Sequence, residues 1–110
     1  MKNILLVSAL ILSTLSVQAK QRILDCNIST GSHQNVTIIE NGGELELQEW
    51  TNTGDIVKRV LSQKEFNSGV LKLIPGKYAD KATLTLKSDK SWLYVCELGS
   101  LKMSEVPGCR

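Results

Sequence analysis

The chain carries one imidazole, His33, three thiols, Cys26, Cys96 and Cys109, and a short acidic run, Glu44, Glu46 and Glu49. A histidine that moves protons needs a carboxylate to orient it and a nucleophile or substrate proton within reach. Asp25 and Ser32 are near His33 in sequence, but neighbouring strand residues point to opposite faces, so no triad is legible. His33 lies in the polar segment 30–35 and is expected to be a solvent-exposed loop residue. One histidine and three widely spaced cysteines do not make a zinc site, and there is no C-x-x-C for redox work. Glu44 and Glu46 fit the solvated face of a strand, and the three glutamates together lack the cleft that a paired-carboxylate glycosidase requires. No nucleotide-binding glycine pattern occurs, since Gly42-Gly43 reads as a hairpin turn. The expectation is a protein that is not an enzyme and takes no cofactor and no metal.

Trp50 and Trp92 are the two other residues that draw attention. Trp50 ends the acidic run, before the turn at residues 51–55, and Trp92 follows the turn at residues 88–91. Tryptophans beside loops serve as partner-binding anchors or as plugs at the ends of a small barrel, and the sequence leaves both roles open for each.

The elements that would position these groups alternate with period two. Leu24, Cys26 and Ile28 alternate with Asp25 and Asn27; Val36 and Ile38 with Asn35 and Thr37; Leu45 and Leu47 with Glu44, Glu46 and Gln48; Leu84 and Leu86 with Thr83, Thr85 and Lys87. Alternation puts apolar groups on one face of a strand and polar groups on the other. Gly, Asn and Pro clusters fall between the runs and supply turn conformations. The pattern predicts an all-β fold, a small antiparallel meander of six to seven strands forming a barrel or a sandwich. Residues 56–66 carry both helical and strand spacing; the β-branched Ile56, Val57 and Val60 favour a strand.

Residues 1–19 have a single lysine, an apolar stretch and a Val17-Gln18-Ala19 end, the pattern of a cleaved secretory signal. The apolar stretch is shorter than the roughly 20 residues a membrane span needs. Residues 20–110 are therefore expected to form one secreted or periplasmic domain with no span. The charge balance, 13 Lys and Arg against 11 Asp and Glu, shows no basic surplus of the kind nucleic-acid binders concentrate on one face.

Export makes one disulfide the expectation, with a cysteine left over. In a meander that closes, the first and last strands become neighbours, which favours Cys26–Cys96; Cys26–Cys109 is the alternative, stapling the tail back. The leftover thiol would permit a disulfide dimer of an otherwise monomeric protein.

Asn67-Ser68-Gly69 and Gly76-Lys77-Tyr78-Ala79-Asp80, with the leader, the size and the cysteines in the first and last strands, loosely resemble the small periplasmic lysozyme inhibitors of bacteria. That family inserts a Ser-x-Ser-Gly-x-x-Tyr loop into its target. Here the motif is split and lacks its first serine, so it assigns no residues. The expected function is a non-enzymatic domain that binds a protein or glycan partner, with inhibition as one form of it. The alternative is a structural or assembly component of the cell envelope.

Overall fold

The computed structural model describes residues 20–75 and 79–110. The leader at residues 1–19 lies outside the described residues, as do residues 76–78 of the second fragment of the lysozyme-inhibitor motif, residues 76–80. Nine strands and one short helix follow in order: β1 (Gln21–Asn27), β2 (His33–Asn41), β3 (Glu44–Thr51), β4 (Ile56–Leu61), α1 (Gln63–Ser68), β5 (Val70–Leu73), β6 (Lys81–Leu86), β7 (Trp92–Leu98), β8 (Leu101–Glu105) and β9 (Gly108–Cys109). They form two antiparallel sheets, one ordered β4-β3-β2-β1-β9 and the other β5-β6-β7-β8. The all-β meander is as expected, with the strand number raised to nine because the tail at residues 99–110 adds two strands.

Local sequence explains the hairpins. Asn41 pairs with Glu44, leaving Gly42 and Gly43 as a two-residue loop with φ of 62° and 88°. That conformation suits the right-handed twist of the flanking strands and is open chiefly to glycine and asparagine. Residues 56–66 divide: the β-branched half is β4, and the rest enters α1, capped by Ser62, whose side chain accepts from Glu65 N–H at 3.0 Å. Ser62-Gln63-Lys64-Glu65 is a capping-box spacing, the local signal that stops the strand.

The two sheets share one core. Leu24, Val36, Ile38, Leu45 and Leu47 from the first meet Leu71, Leu84, Trp92, Tyr94 and Cys96 from the second. The loop between β1 and β2 approaches the second sheet so closely that a Cβ on Gly31 would sit 2.8 Å from the Tyr94 ring and 2.9 Å from Cys96 Cβ. Gly31 also has φ of 74°, so only glycine fits there.

Among the described residues no backbone ladder joins β4 to β5 or β8 to β1, so the sheets form an open sandwich with two seams. Side chains span both. At the first, Arg59 grips Glu65 through two bonds of 3.0 and 2.7 Å. These two residues also take the edge-facing backbone of Lys72: its N–H donates to Glu65 Oε2 and its carbonyl accepts from Arg59. Ser68 serves Val70 N–H in the same way, and Glu49 serves Ile74 N–H. At the second seam the Glu105 carboxylate accepts from the Ser29 N–H and hydroxyl.

The cysteine pairing expected first, Cys26–Cys96, is corrected: Cys26 bonds Cys109, and Cys96 is free and buried. The closure argument took β7 for the last strand. In fact β7 has β6 and β8 on its two sides, and it is β9 that reaches β1. Cys26 and Cys109 are direct ladder partners with Cα atoms 4.0 Å apart. A linkage with a sequence separation of 83 stabilises by about 4–5 kcal/mol in the chain-entropy model.

Candidate functional site

Two polar constellations emerge, one inside the molecule and one on its surface. The inner one joins the sheets. His33 and Glu49 both have no exposed surface, and His33 Nε2 lies 2.9 Å from Glu49 Oε1. His33 Nδ1 lies 2.8 Å from the Tyr94 hydroxyl, which accepts from Ser32 N–H at 3.2 Å. The Ser32 hydroxyl closes the group, lying 3.1 Å from His33 Nδ1 and 3.4 Å from the Tyr94 hydroxyl. Glu49 Oε1 also accepts from Ile74 N–H at 2.8 Å, while Oε2 has no partner among the described residues. Burial pushes the Tyr94 phenol up to about 12, an effect the Ser32 hydrogen bonds oppose.

Hydroxyl, imidazole and carboxylate in a row have the connectivity of a nucleophile, a base and its orienting group. Each of the three is wholly buried, so no substrate meets them in this structure. Their geometry pins β2 and β3 to β7.

The outer constellation lies on the solvent face of the first sheet, where two adjacent rungs run across four strands. One rung is Asp25, Thr37, Gln48 and Lys58; the next is Asn27, Asn35, Trp50 and Ile56. Trp50 is 43% exposed. Beside it the polar groups hold one another: Asn35 Nδ2 donates to Asp25 Oδ1 at 2.7 Å and to Asn27 Oδ1 at 2.9 Å, and Thr37 Oγ1 donates to Asn35 Oδ1 at 2.5 Å. Asp25 Oδ2 takes Arg22 at 3.2 Å and Arg110 at 3.6 Å. Arg22, Asp25, Asn35, Thr37, Ile39, Gln48 and Trp50 line a shallow depression of about 300 Å³.

A larger depression, of about 670 Å³, follows the first seam past Arg59, Glu65, Lys72 and Pro75. Its guanidinium is held above the ordinary value by hydrogen bonding to Glu65 and by the charges of Glu65 and Glu49. Those polar groups are occupied in capping β5, which leaves the depression little with which to recognise a ligand.

The structure redistributes the residues singled out in the sequence. His33 is not in an exposed loop; it opens β2 and faces inward, because an irregularity between His33 and Asn35 shifts the register and inverts the alternation. Glu49 does not share the outer face with Glu44 and Glu46: it is buried, on the same parity as Leu45 and Leu47. That parity was present in the sequence and could have found it. Of the two tryptophans, Trp92 is 8% exposed and belongs to the core, whereas Trp50 is exposed at the surface. Cys96, 1% exposed, is out of reach for the disulfide dimer that a leftover thiol would allow. The rungs around Trp50 went unread because Asp25, Asn27, Asn35, Thr37 and Gln48 look like an ordinary solvated face until the register lines them up.

Among the described residues no group of three or more histidine, cysteine or acidic side chains is placed to hold a metal ion. No helix among them is long and apolar enough to cross a membrane. Comparison of the chain with protein-family models, with curated proteins and with solved structures returns no match.

Proposed function

We propose that this chain is a non-enzymatic binding domain, secreted or periplasmic, that engages a protein or glycan partner through the outer face of its first sheet, inhibition being one form such engagement takes. The observation that carries the reading is Trp50, a large exposed ring on a rigid sheet, set beside polar side chains already locked by hydrogen bonds. An exposed tryptophan makes an effective anchor because it offers much contact area at little conformational cost. The burial of His33, Glu49, Tyr94 and Cys96 supports the non-enzymatic part, since the groups best suited to chemistry are turned to holding the sheets together. The disulfide fits an oxidising environment of the extracellular type.

The experiment is retention of envelope components on the immobilised domain, with and without Trp50→Ala. Retention should fall sharply in Trp50→Ala and persist in a turn variant such as Asp89→Ala. Equal retention by both variants would remove Trp50 from the function.

The assembly reading has one observation of its own. β8 is an edge strand, and Leu101 at its start and Val106 just past its end are more than half exposed, so strand addition to another chain is open there. Lys102 on the same strand works against unplanned pairing. A concentration-dependent increase in mass by light scattering, abolished by Leu101→Lys, would favour this second reading.

A further inference from the structure

We infer that the solvent face of the second sheet adsorbs to an anionic phospholipid surface; this concerns the other sheet from Trp50 and does not depend on the binding reading above. Pairing across β5 to β8 builds three outward rungs. They are Val70, Thr85 and Leu93; Lys72, Thr83, Val95 and Ser104; and Lys81, Glu97 and Lys102. Lys72, Lys81 and Lys102 are exposed, and Lys87, also exposed, follows β6 just past the first rung.

Four lysines against the single carboxylate of Glu97 leave this face at +3. In the flanking turns Lys90 offsets Asp89, and Asp80 beside Lys81 lowers the balance to +2. Glu65, which approaches Lys72, is gripped by two bonds from Arg59. The formal charge of the entire chain is also +2, so the rest of the molecule is balanced and the surplus is gathered here. The lysines are scattered in sequence, and only strand pairing assembles them. The ion pairs among the described residues involve Arg22, His33, Arg59 and Arg110 and no lysine. These ammonium groups are therefore open to an external anion.

The arrangement favours a lipid surface over a charged polymer. The lysines stand around an apolar centre, with Val70 43% exposed and Leu93 and Val95 partly exposed. Adsorption to a bilayer combines these two terms, shallow burial of apolar side chains and attraction to anionic headgroups. A single-stranded polymer is instead held in a basic groove with aromatic platforms, and no aromatic side chain stands on these rungs. Lysine is a compact point charge, whereas arginine suits a fixed bidentate contact; headgroups that move laterally require only the former. Between Lys72 and Lys81 the face dips into a depression of about 390 Å³, also lined by Val70 and Thr83, which gives one headgroup a seat.

The test is cosedimentation of the folded protein with vesicles of phosphatidylcholine alone, and with vesicles of phosphatidylcholine and phosphatidylglycerol in equal parts. In about 0.1 M salt, charges more than about 10 Å apart are largely screened, so the readout is local. The protein should partition onto the charged vesicles and not onto the neutral ones. A basic side chain near such a surface contributes about 1 kcal/mol, roughly fivefold in partitioning. Lys81→Gln should therefore weaken it about fivefold, and Lys72→Gln combined with Lys102→Gln about 25-fold. Lys58→Gln and Trp50→Ala, on the first sheet, should leave it nearly unchanged. Salt at about 1 M should release the protein. Circular dichroism of every variant should match the parent, because the substituted side chains are exposed. No partitioning onto charged vesicles, equal partitioning onto neutral ones, indifference to the Lys72 and Lys102 pair, or an equal loss in Lys58→Gln would each overturn the inference. Binding of dextran sulfate without partitioning onto charged vesicles would assign the face to a soluble polyanion and overturn it as well.

Discussion

A carboxylate and an imidazole with no exposed surface, Glu49 and His33, join the two sheets through Tyr94. Taking such groups out of water is costly, and removing one partner strands the other. His33→Ala is therefore expected to cost about 3–5 kcal/mol in urea unfolding, far more than substitution of the exposed loop residue that the sequence suggests. Tyr94 adds a pH dependence whose sign follows from its direction. Its phenol is raised to about 12 in the folded state against about 10 when unfolded. The stabilisation is complete below pH 10 and is lost as pH rises toward 12. Its size is on the order of 2 to 3 kcal/mol. Tyr94→Phe should be less stable at neutral pH, because Ser32 N–H and His33 Nδ1 lose their partner, yet should show a flatter decline above pH 10. Cys96 belongs to the same neighbourhood, 3.7 Å from the Ser32 hydroxyl. A thiol reagent should leave the folded protein untouched and label one cysteine after unfolding.

At the scale of elements, the seams are the distinctive feature. β5 is an edge strand whose outward backbone groups are taken by Arg59, Glu65, Ser68 and Glu49, so side chains stand where a neighbouring strand would. The Arg59 hydrogen bonds hold Glu65 below its ordinary value. This contribution is present above the unfolded carboxylate value and fades as pH falls through the lower folded one. Arg59→Ala should speed amide exchange at Lys72 and, by baring the edge, promote association between chains. β9 is the other dependent element, a two-residue strand held to β1 by the disulfide and by reciprocal bonds between Asp25 and Arg110. Cys109→Ser should destabilise by about 2–5 kcal/mol, whereas Cys96→Ser should be the milder change; melting curves of the two variants decide it.

Across the whole molecule, the two tryptophans separate stability from binding. Trp92→Ala should lower stability by about 3–5 kcal/mol, the cost of an emptied core site. Trp50→Ala should leave the melting temperature nearly unchanged while sharply reducing the retention of envelope components proposed above. Circular dichroism should show a β-dominated spectrum with little helix, consistent with a single six-residue helix among the described residues. Each sheet commits one face to the shared core, and the disulfide at β1 steadies the strand that carries Asp25 and Asn27.

Alternation alone determined the β class, the antiparallel hairpins and most of the core, because period-two spacing and glycine turns are local properties of the chain. Leu45 and Leu47 face inward on that basis, and so does Glu49, once its parity is followed. The tertiary structure decided what depends on register and on which strands meet. The irregularity after His33 turned it inward, which no pattern around segment 30–35 announces. The return of the tail placed Cys109, and not Cys96, opposite Cys26. Two rungs of polar residues became a candidate site only when pairing across β1, β2 and β3 set them beside Trp50. Spacing along a chain fixes which face a residue occupies, whereas the neighbours on that face are set by pairings between strands far apart in sequence.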